Sequence, residues 1–228
     1  MKILAAETSG KTFSAALNED AVTIASCYYE YEHIHSEMII PAIKRLLKDT
    51  NNSIESIDKF AVSAGPGSFT GIRVGMTAIK TFAQILNKPA TAIDSLTILE
   101  NSVIEIKGIK IAAAIDALRN EIYVKRKNEI IIKDVDLFIK DFKKYKNKVL
   151  IVGNAAEIYR EKFIKSLGKY SVSLPHTMNM PKAEILAFLA CNTSNSSYAD
   201  IKPIYIRRSW AEETNKKSTI TKRETGSA

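Results

Sequence analysis

Cysteine and histidine are scarce in this chain: 228 residues hold two of the first and three of the second. Cys27 and Cys191 stand far apart, without metal-site spacing. That excludes a disulfide framework and leads us to expect free thiols in a reducing, cytoplasmic setting. No apolar run reaches the length of a membrane span. The opening Lys2-Ile3-Leu4-Ala5-Ala6 meets an acid at Glu7, too early for a secretory leader. Several catalytic motifs are missing as well. No HExxH occurs, no GxSxG elbow presents a serine, and the glycine-rich stretch at 65–71 lacks the Gly-Lys-Ser/Thr of a Walker loop. Ser68 sits in Gly67-Ser68-Phe69-Thr70-Gly71, which is not that elbow.

Glycine is also sparse, yet four of the nine glycines fall within 65–75. An apolar run at 59–64 leads into this stretch, and a helical pattern of Ile72, Met76, Ile79, Ala83 and Leu86 leads out. The spacing predicts strand, tight turn, helix, with Ser68 or Thr70 as N-cap. Two uses compete. Glycine-rich turns at helix starts cradle phosphates, but the spacing fits neither the Walker loop nor the dinucleotide fingerprint, and Pro66 removes a donor. The alternative is a turn followed by a packing face. Gly71 and Gly75 are one helical turn apart, each costs about 1 kcal/mol relative to Ala, and Ala78 continues the row. Close approach of another helix would offset that cost.

Charge is unbalanced: 33 Lys and Arg against 25 Asp and Glu give a net +8. That fits an RNA partner and equally a Lys/Ile/Asn-rich proteome. The lysine clusters at 140–148 and 216–223 carry no interleaved aromatic pattern. A metal needs grouped ligands. His33 and His35 share a strand face, but no third ligand is evident beyond Glu32 or Glu37, and His176 is remote. We expect no metal site, with His35 serving the backbone at a helix start.

In order, the pattern predicts strands at 2–8, 12–17 and 21–30, a helix at 36–48, a helical turn at 53–58, a strand at 59–64 and a helix at 68–87. A strand at 90–93 and a helix at 95–106 capped by Ser95 follow. A second set then begins with a strand at 108–115 ending at Asp116, a hairpin at 121–126 and 129–135, a helix at 135–146 and a strand at 149–152. It continues with a helix at 155–167, a strand at 171–174, a helix at 182–191 and an extended segment at 203–207. Residues 211–228 are polar and aperiodic and read as a disordered tail. The halves look alike: Ala5-Ala6-Glu7 and Ala114-Ile115-Asp116 each end an apolar strand in an acid before a turn and second strand. A duplicated βββαβα unit of this kind builds the actin-like (ribonuclease H-like) α/β fold, with two mixed sheets flanked by helices. The expected subdomains are 1–106 and 107–210.

Residues through most of the chain resemble the bacterial TsaB (YeaZ) family of the threonylcarbamoyladenosine tRNA-modification machinery. They are Ile3-Leu4-Ala5-Ala6-Glu7-Thr8-Ser9, His35-Ser36-Glu37-Met38-Ile39-Ile40-Pro41, the glycine-rich 65–75, Ile115-Asp116-Ala117-Leu118-Arg119-Asn120-Glu121-Ile122-Tyr123 and Pro203-Ile204-Tyr205-Ile206-Arg207. Glu7 departs from the usual Asp by one methylene. The resemblance covers about 1–208 and implies a non-catalytic partner. That partner binds a catalytic paralogue, TsaD, which carries ATP and a metal, and an ATPase, TsaE, joins the pair. tRNA would be reached through the complex, and a homodimer is a possible resting form.

The residues agree that catalysis is degenerate. After Asp116 come Ala117-Leu118-Arg119-Asn120, without the glycines that let amides approach phosphates. Glu7, Asp116 and Gly153 mark what remains of a nucleotide site, and no cofactor is expected on this chain alone. The partner surface is expected on the helices at 36–48 and 69–87, through Met38, Ala42, Arg45, Gly71, Val74, Gly75 and Ala78. The competing class is a free-standing actin-like ATPase or phosphotransferase. Turnover of ATP by the purified chain alone would favour it.

Overall fold

The structure is a computed structural model, and it describes residues 1–30, 35–127, 129–172 and 174–206. Two mixed sheets form its frame. The first has the order β3-β2-β1-β4-β5 and the second β8-β7-β6-β9. Strands β1 (Lys2–Glu7), β2 (Thr12–Glu19) and β3 (Val22–Glu30) are an antiparallel meander, and β4 (Lys59–Ser63) and β5 (Ala90–Ile93) add in parallel. Strands β6 (Lys110–Asp116), β7 (Glu121–Arg126) and β8 (Glu129–Asp134) repeat the meander, and β9 (Val149–Val152) pairs in parallel with β6. The second sheet thus repeats the first without its fifth strand.

β1 reads as an unbroken apolar run because both faces of its sheet are covered. Leu4, Ala6, Phe60 and Val62 point into a core shared with α1 (His35–Asp49) and α2 (Phe69–Ile85). Ile3, Ala5 and Ala61 point the other way, onto α7 (Ala183–Cys191). Each large side chain buried this way contributes roughly 1.5–3 kcal/mol. The last helix therefore returns to the first sheet, and Lys59 Nζ fixes its end by donating to Ala190 O and Thr193 O at 2.8 and 2.7 Å.

The second sheet buries Ala112, Ala114, Ile122 and Ile151 against α4 (Val135–Phe142), α5 (Ala155–Ile158) and α6 (Arg160–Leu167). Between the sheets lies α3 (Ser95–Glu100): Ile98 enters the core of the first sheet, while Leu96 and Leu99 pack on Ala113, Ile115 and Val152 of the second. Lys125 on β7 strengthens this joint by pairing with Asp94 at 3.1 Å.

Four local expectations need correction. Asp94, not Ser95, caps α3 by accepting from Thr97 N at 2.8 Å, and the helix stops at Glu100. Residues 169–172 form a 3-10 turn that takes in the start of the strand predicted at 171–174, and Ser171 Oγ donates back to Gly168 O. The helix at 155–167 breaks at Tyr159 into two. The helix predicted to 146 ends at Phe142 and tightens into a 3-10 turn. Arg207 and the tail at 211–228 lie outside the described residues, as do His33 and the side chain of His35.

Candidate functional site

Two concave surfaces bring together the residues singled out by the sequence. The first is a cleft of about 630 Å³ between the two sheets, where β1 and β6 end. Its walls include Ser9, Lys11, Gly67, Ser68, Asp116, Asn154, Glu157 and His176.

The two acids at equivalent strand ends behave differently. Glu7 is fully buried and is not part of the cleft wall. Its Oε1 accepts from Ser9 N and Ser9 Oγ, both at 2.6 Å, and Oε2 has no partner among the described residues. Burial pushes the Glu7 carboxyl above the usual range, against the lowering pull of the Ser9 bonds. Ser9 is held in turn by the Ser95 hydroxyl, which donates to its Oγ at 2.7 Å.

Asp116 does line the cleft. Its Oδ1 accepts from Tyr159 OH at 2.8 Å and from Leu118 N at 3.2 Å, and its backbone N donates to Asn154 Oδ1 at 2.8 Å. Burial, then the neighbouring Asp116, push the Tyr159 phenol up to about 12. The loop that follows is Leu118-Arg119-Asn120, all three in the left-handed region with φ of 63°, 58° and 59°. Such a conformation costs an L-residue about 1–2 kcal/mol, and the hairpin register across β6 and β7 imposes it. Gly153 serves packing: a Cβ there would lie 2.2 Å from Ala114 O. Its neighbour Asn154 reaches the cleft instead.

The cleft is closed at one side by His176. Its Nδ1 lies 2.7 Å from Glu157 Oε2 and its Nε2 2.6 Å from Glu30 Oε1. These acids belong to opposite halves, α5 and β3. The Glu157 bond first, then the Glu30 bond, raise the imidazole pKa. Neither His176 nor Asn154 is legible in the sequence as a site residue, since only the fold brings them beside Asp116. Among the described residues, no three His, Cys, Asp or Glu side chains gather as a metal site.

The second surface is a groove of about 410 Å³ between α1 and α2, lined by Ile39, Ile40, Arg73, Val74, Thr77, Ala78, Thr81 and Phe82. Of the residues expected on a partner face, Val74 and Ala78 line this groove. Arg45 is exposed and lies 3.4 Å from Asp49, and Met38 is half-buried at the edge of the core. Ala42, Gly71 and Gly75 face inward. The glycines do permit a close approach, but of a strand end and not of a helix. A Cβ on Gly71 would lie 2.1 Å from Thr8 O, and one on Gly75 2.2 Å from Thr8 Oγ1. Thr8 Oγ1 donates to Gly71 O at 2.7 Å, which seats α2 on the end of β1. Ser68 caps α2 by accepting from Gly71 N at 3.2 Å.

Two sheets repeating one topology, hinged by a shared helix around a cleft, define a two-lobed α/β protein of the actin-like type. Comparison with known proteins agrees. The family profile described as TsaD, tRNA N6-adenosine threonylcarbamoyltransferase, matches residues 30–213. The tRNA threonylcarbamoyladenosine biosynthesis protein TsaB of Bacillus subtilis (strain 168) is 29% identical over 93% of this chain and 96% of its own length. The protein of the same name from Haemophilus influenzae is 28% identical over 77% of this chain and 81% of its own. A crystal structure of a Pseudomonas aeruginosa protein with similarity to peptidase YeaZ superposes with a TM-score of 0.70 at 23% identity, covering 90% of this chain and 99% of that one. The chain belongs to the family of tRNA threonylcarbamoyladenosine biosynthesis proteins that holds TsaB and TsaD.

Proposed function

We propose that the chain works in bacterial tRNA threonylcarbamoyladenosine (t6A) formation as a non-catalytic subunit. It binds a TsaD-like catalytic paralogue and supports it together with a TsaE-like ATPase. ATP and metal chemistry belong to those partners, and tRNA is met through the complex. The relatives' names carry the pathway. The observation that carries the non-catalytic role is the inward turn of Glu7, whose buried carboxyl spends its bonds on Ser9.

The cleft wall carries Gly10, Lys11 and Gly67, but the loop after Asp116 lacks the glycines whose amides would approach a phosphate chain. Here Leu118, Arg119 and Asn120 stand in the loop after Asp116, and Asp116 already accepts from Tyr159. No chemical step is therefore assigned to this chain.

The α1–α2 groove is the partner-binding face. It combines the aliphatic Ile39, Ile40, Val74 and Ala78 with the rim cation Arg73, as interfaces with an apolar core and polar edge do. The homologous helices of the paralogue would supply the matching face, and a second copy of this chain is its substitute at rest. Co-purification from the native host tests the assignment. Recovery of a TsaD-like protein with the tagged chain is the expected result. Robust ATP turnover by the chain alone would favour the phosphotransferase reading.

A further inference from the structure

At the first turn of α2, Phe69 is 41% exposed, and Tyr205 from the C-terminal segment is 49% exposed beside it. Their ring centroids are 5.0 Å apart with planes 35° from parallel. The Arg73 guanidinium lies over the Phe69 ring, 5.2 Å from its centroid. Two hydrogen bonds hold the C-terminal segment against this spot: Ile204 N donates to Ala64 O at 2.8 Å, and the Lys80 side chain donates through Nζ to Ile201 O at 3.2 Å. Two large aromatic rings and a guanidinium plane thus stand together at the surface, outside both the cleft and the aliphatic part of the groove.

The surrounding charge is one-sided. Helix α2 carries Arg73 and Lys80 and no acid, and 201–206 carries Lys202 and no acid. Exposed aromatic planes beside cations suit unpaired nucleotides, whose bases stack on rings and guanidinium groups while phosphates meet the charge. A protein partner's core would find better aliphatic cover in the neighbouring groove.

We propose that Arg73, Phe69 and Tyr205 form a stacking platform for unpaired RNA bases. On the reading of this chain as part of a tRNA-modifying assembly, these are bases of a single-stranded tRNA loop. The platform gives the chain a direct hold on the substrate in addition to its contact with the catalytic subunit.

Fluorescence anisotropy of the full chain with a short labelled unpaired RNA, and with the matching duplex, tests this. Phe69→Leu and Tyr205→Leu should each weaken unpaired RNA binding roughly fivefold to a hundredfold, with little effect on duplex. Arg73→Gln should reduce the salt slope by about one counterion. Because Arg73 is on the surface, that variant carries the test if a leucine variant melts early. The proposal is overturned if the wild-type chain binds no unpaired RNA, or if variants that melt normally bind it unchanged. It is also overturned if they lose only the TsaD-like partner. RNA binding through the platform by a chain that does not support t6A formation would sink the subunit reading alone.

Discussion

His176 Nδ1 lies 2.7 Å from Glu157 Oε2, and this bond, with the one from Nε2 to Glu30, ties the two lobes together across the mouth of the cleft. Tyr28 and Asn179 are the polar neighbours of these acids: burial first, then Glu30, raise the Tyr28 pKa, and Asn179 Nδ2 donates to Glu157 Oε1 at 3.0 Å. The clasp is a charge bridge only while the imidazole holds its second proton.

That fixes a pH dependence. The folded pKa of His176 is raised above its ordinary 6.5. Its contribution to stability is fully present below 6.5 and is lost as pH rises through the folded value. With 43% exposure, solvent screening keeps the effect within about 1 kcal/mol. Melting temperatures of wild type and His176→Gln should differ at mildly acidic pH and converge at alkaline pH. A gap that widens with rising pH contradicts the clasp.

Glu7 titrates with the same sign. Its folded pKa is raised above 4.5, so stability is fully present below 4.5 and is lost as pH rises through the folded value. Glu7→Gln keeps an acceptor for Ser9 and has no charge to bury. The variant should fold, match wild type in acid and exceed its stability at neutral pH, read from urea midpoints. Loss of stability at neutral pH would mean that the ionised carboxylate is needed.

Gly75→Ala should destabilise the chain by about 1–3 kcal/mol, because the added methyl meets Thr8 Oγ1 at 2.2 Å. Ala78→Arg, on the outer side of the same helix, should stay within about 0.5 kcal/mol of wild type. Chemical denaturation of both variants separates the inner face of α2 from the outer one.

Much of the frame was legible. β1 and β4 announced themselves by apolar runs, α2 by its period and the Ser68 cap, and the duplication by paired strand ends at Glu7 and Asp116. The direction of the glycines was not. A small-residue row at helical spacing says that something comes close, but not whether it is a helix or the end of a strand, and Thr8 lies over sixty residues away in sequence. The cleft was half legible. Asp116 could be read from the repeat, whereas His176, Asn154 and Tyr159 join it only through tertiary folding. Asp94 takes the cap in place of Ser95 because the helix already begins at Ser95, whose hydroxyl is spent on Ser9 Oγ.

The left-handed loop offers a separate check. Leu118 is 68% exposed with φ of 63°, so its side chain gains little burial to offset the backbone cost. Leu118→Gly should stabilise the fold by about 0.5–1 kcal/mol. A lower melting temperature would show that the leucine packs more usefully than its exposure indicates.

The measurement closest to the central claim is t6A formation on tRNA, read by mass spectrometry of nucleosides, in a mixture of the TsaD-like and TsaE-like proteins, the donor-forming enzyme and this chain. Omitting the chain should abolish product, adding wild type should restore it, and adding the normally melting Ala78→Arg variant should leave it at least tenfold lower. Full activity without the chain, or with Ala78→Arg in its place, contradicts the account.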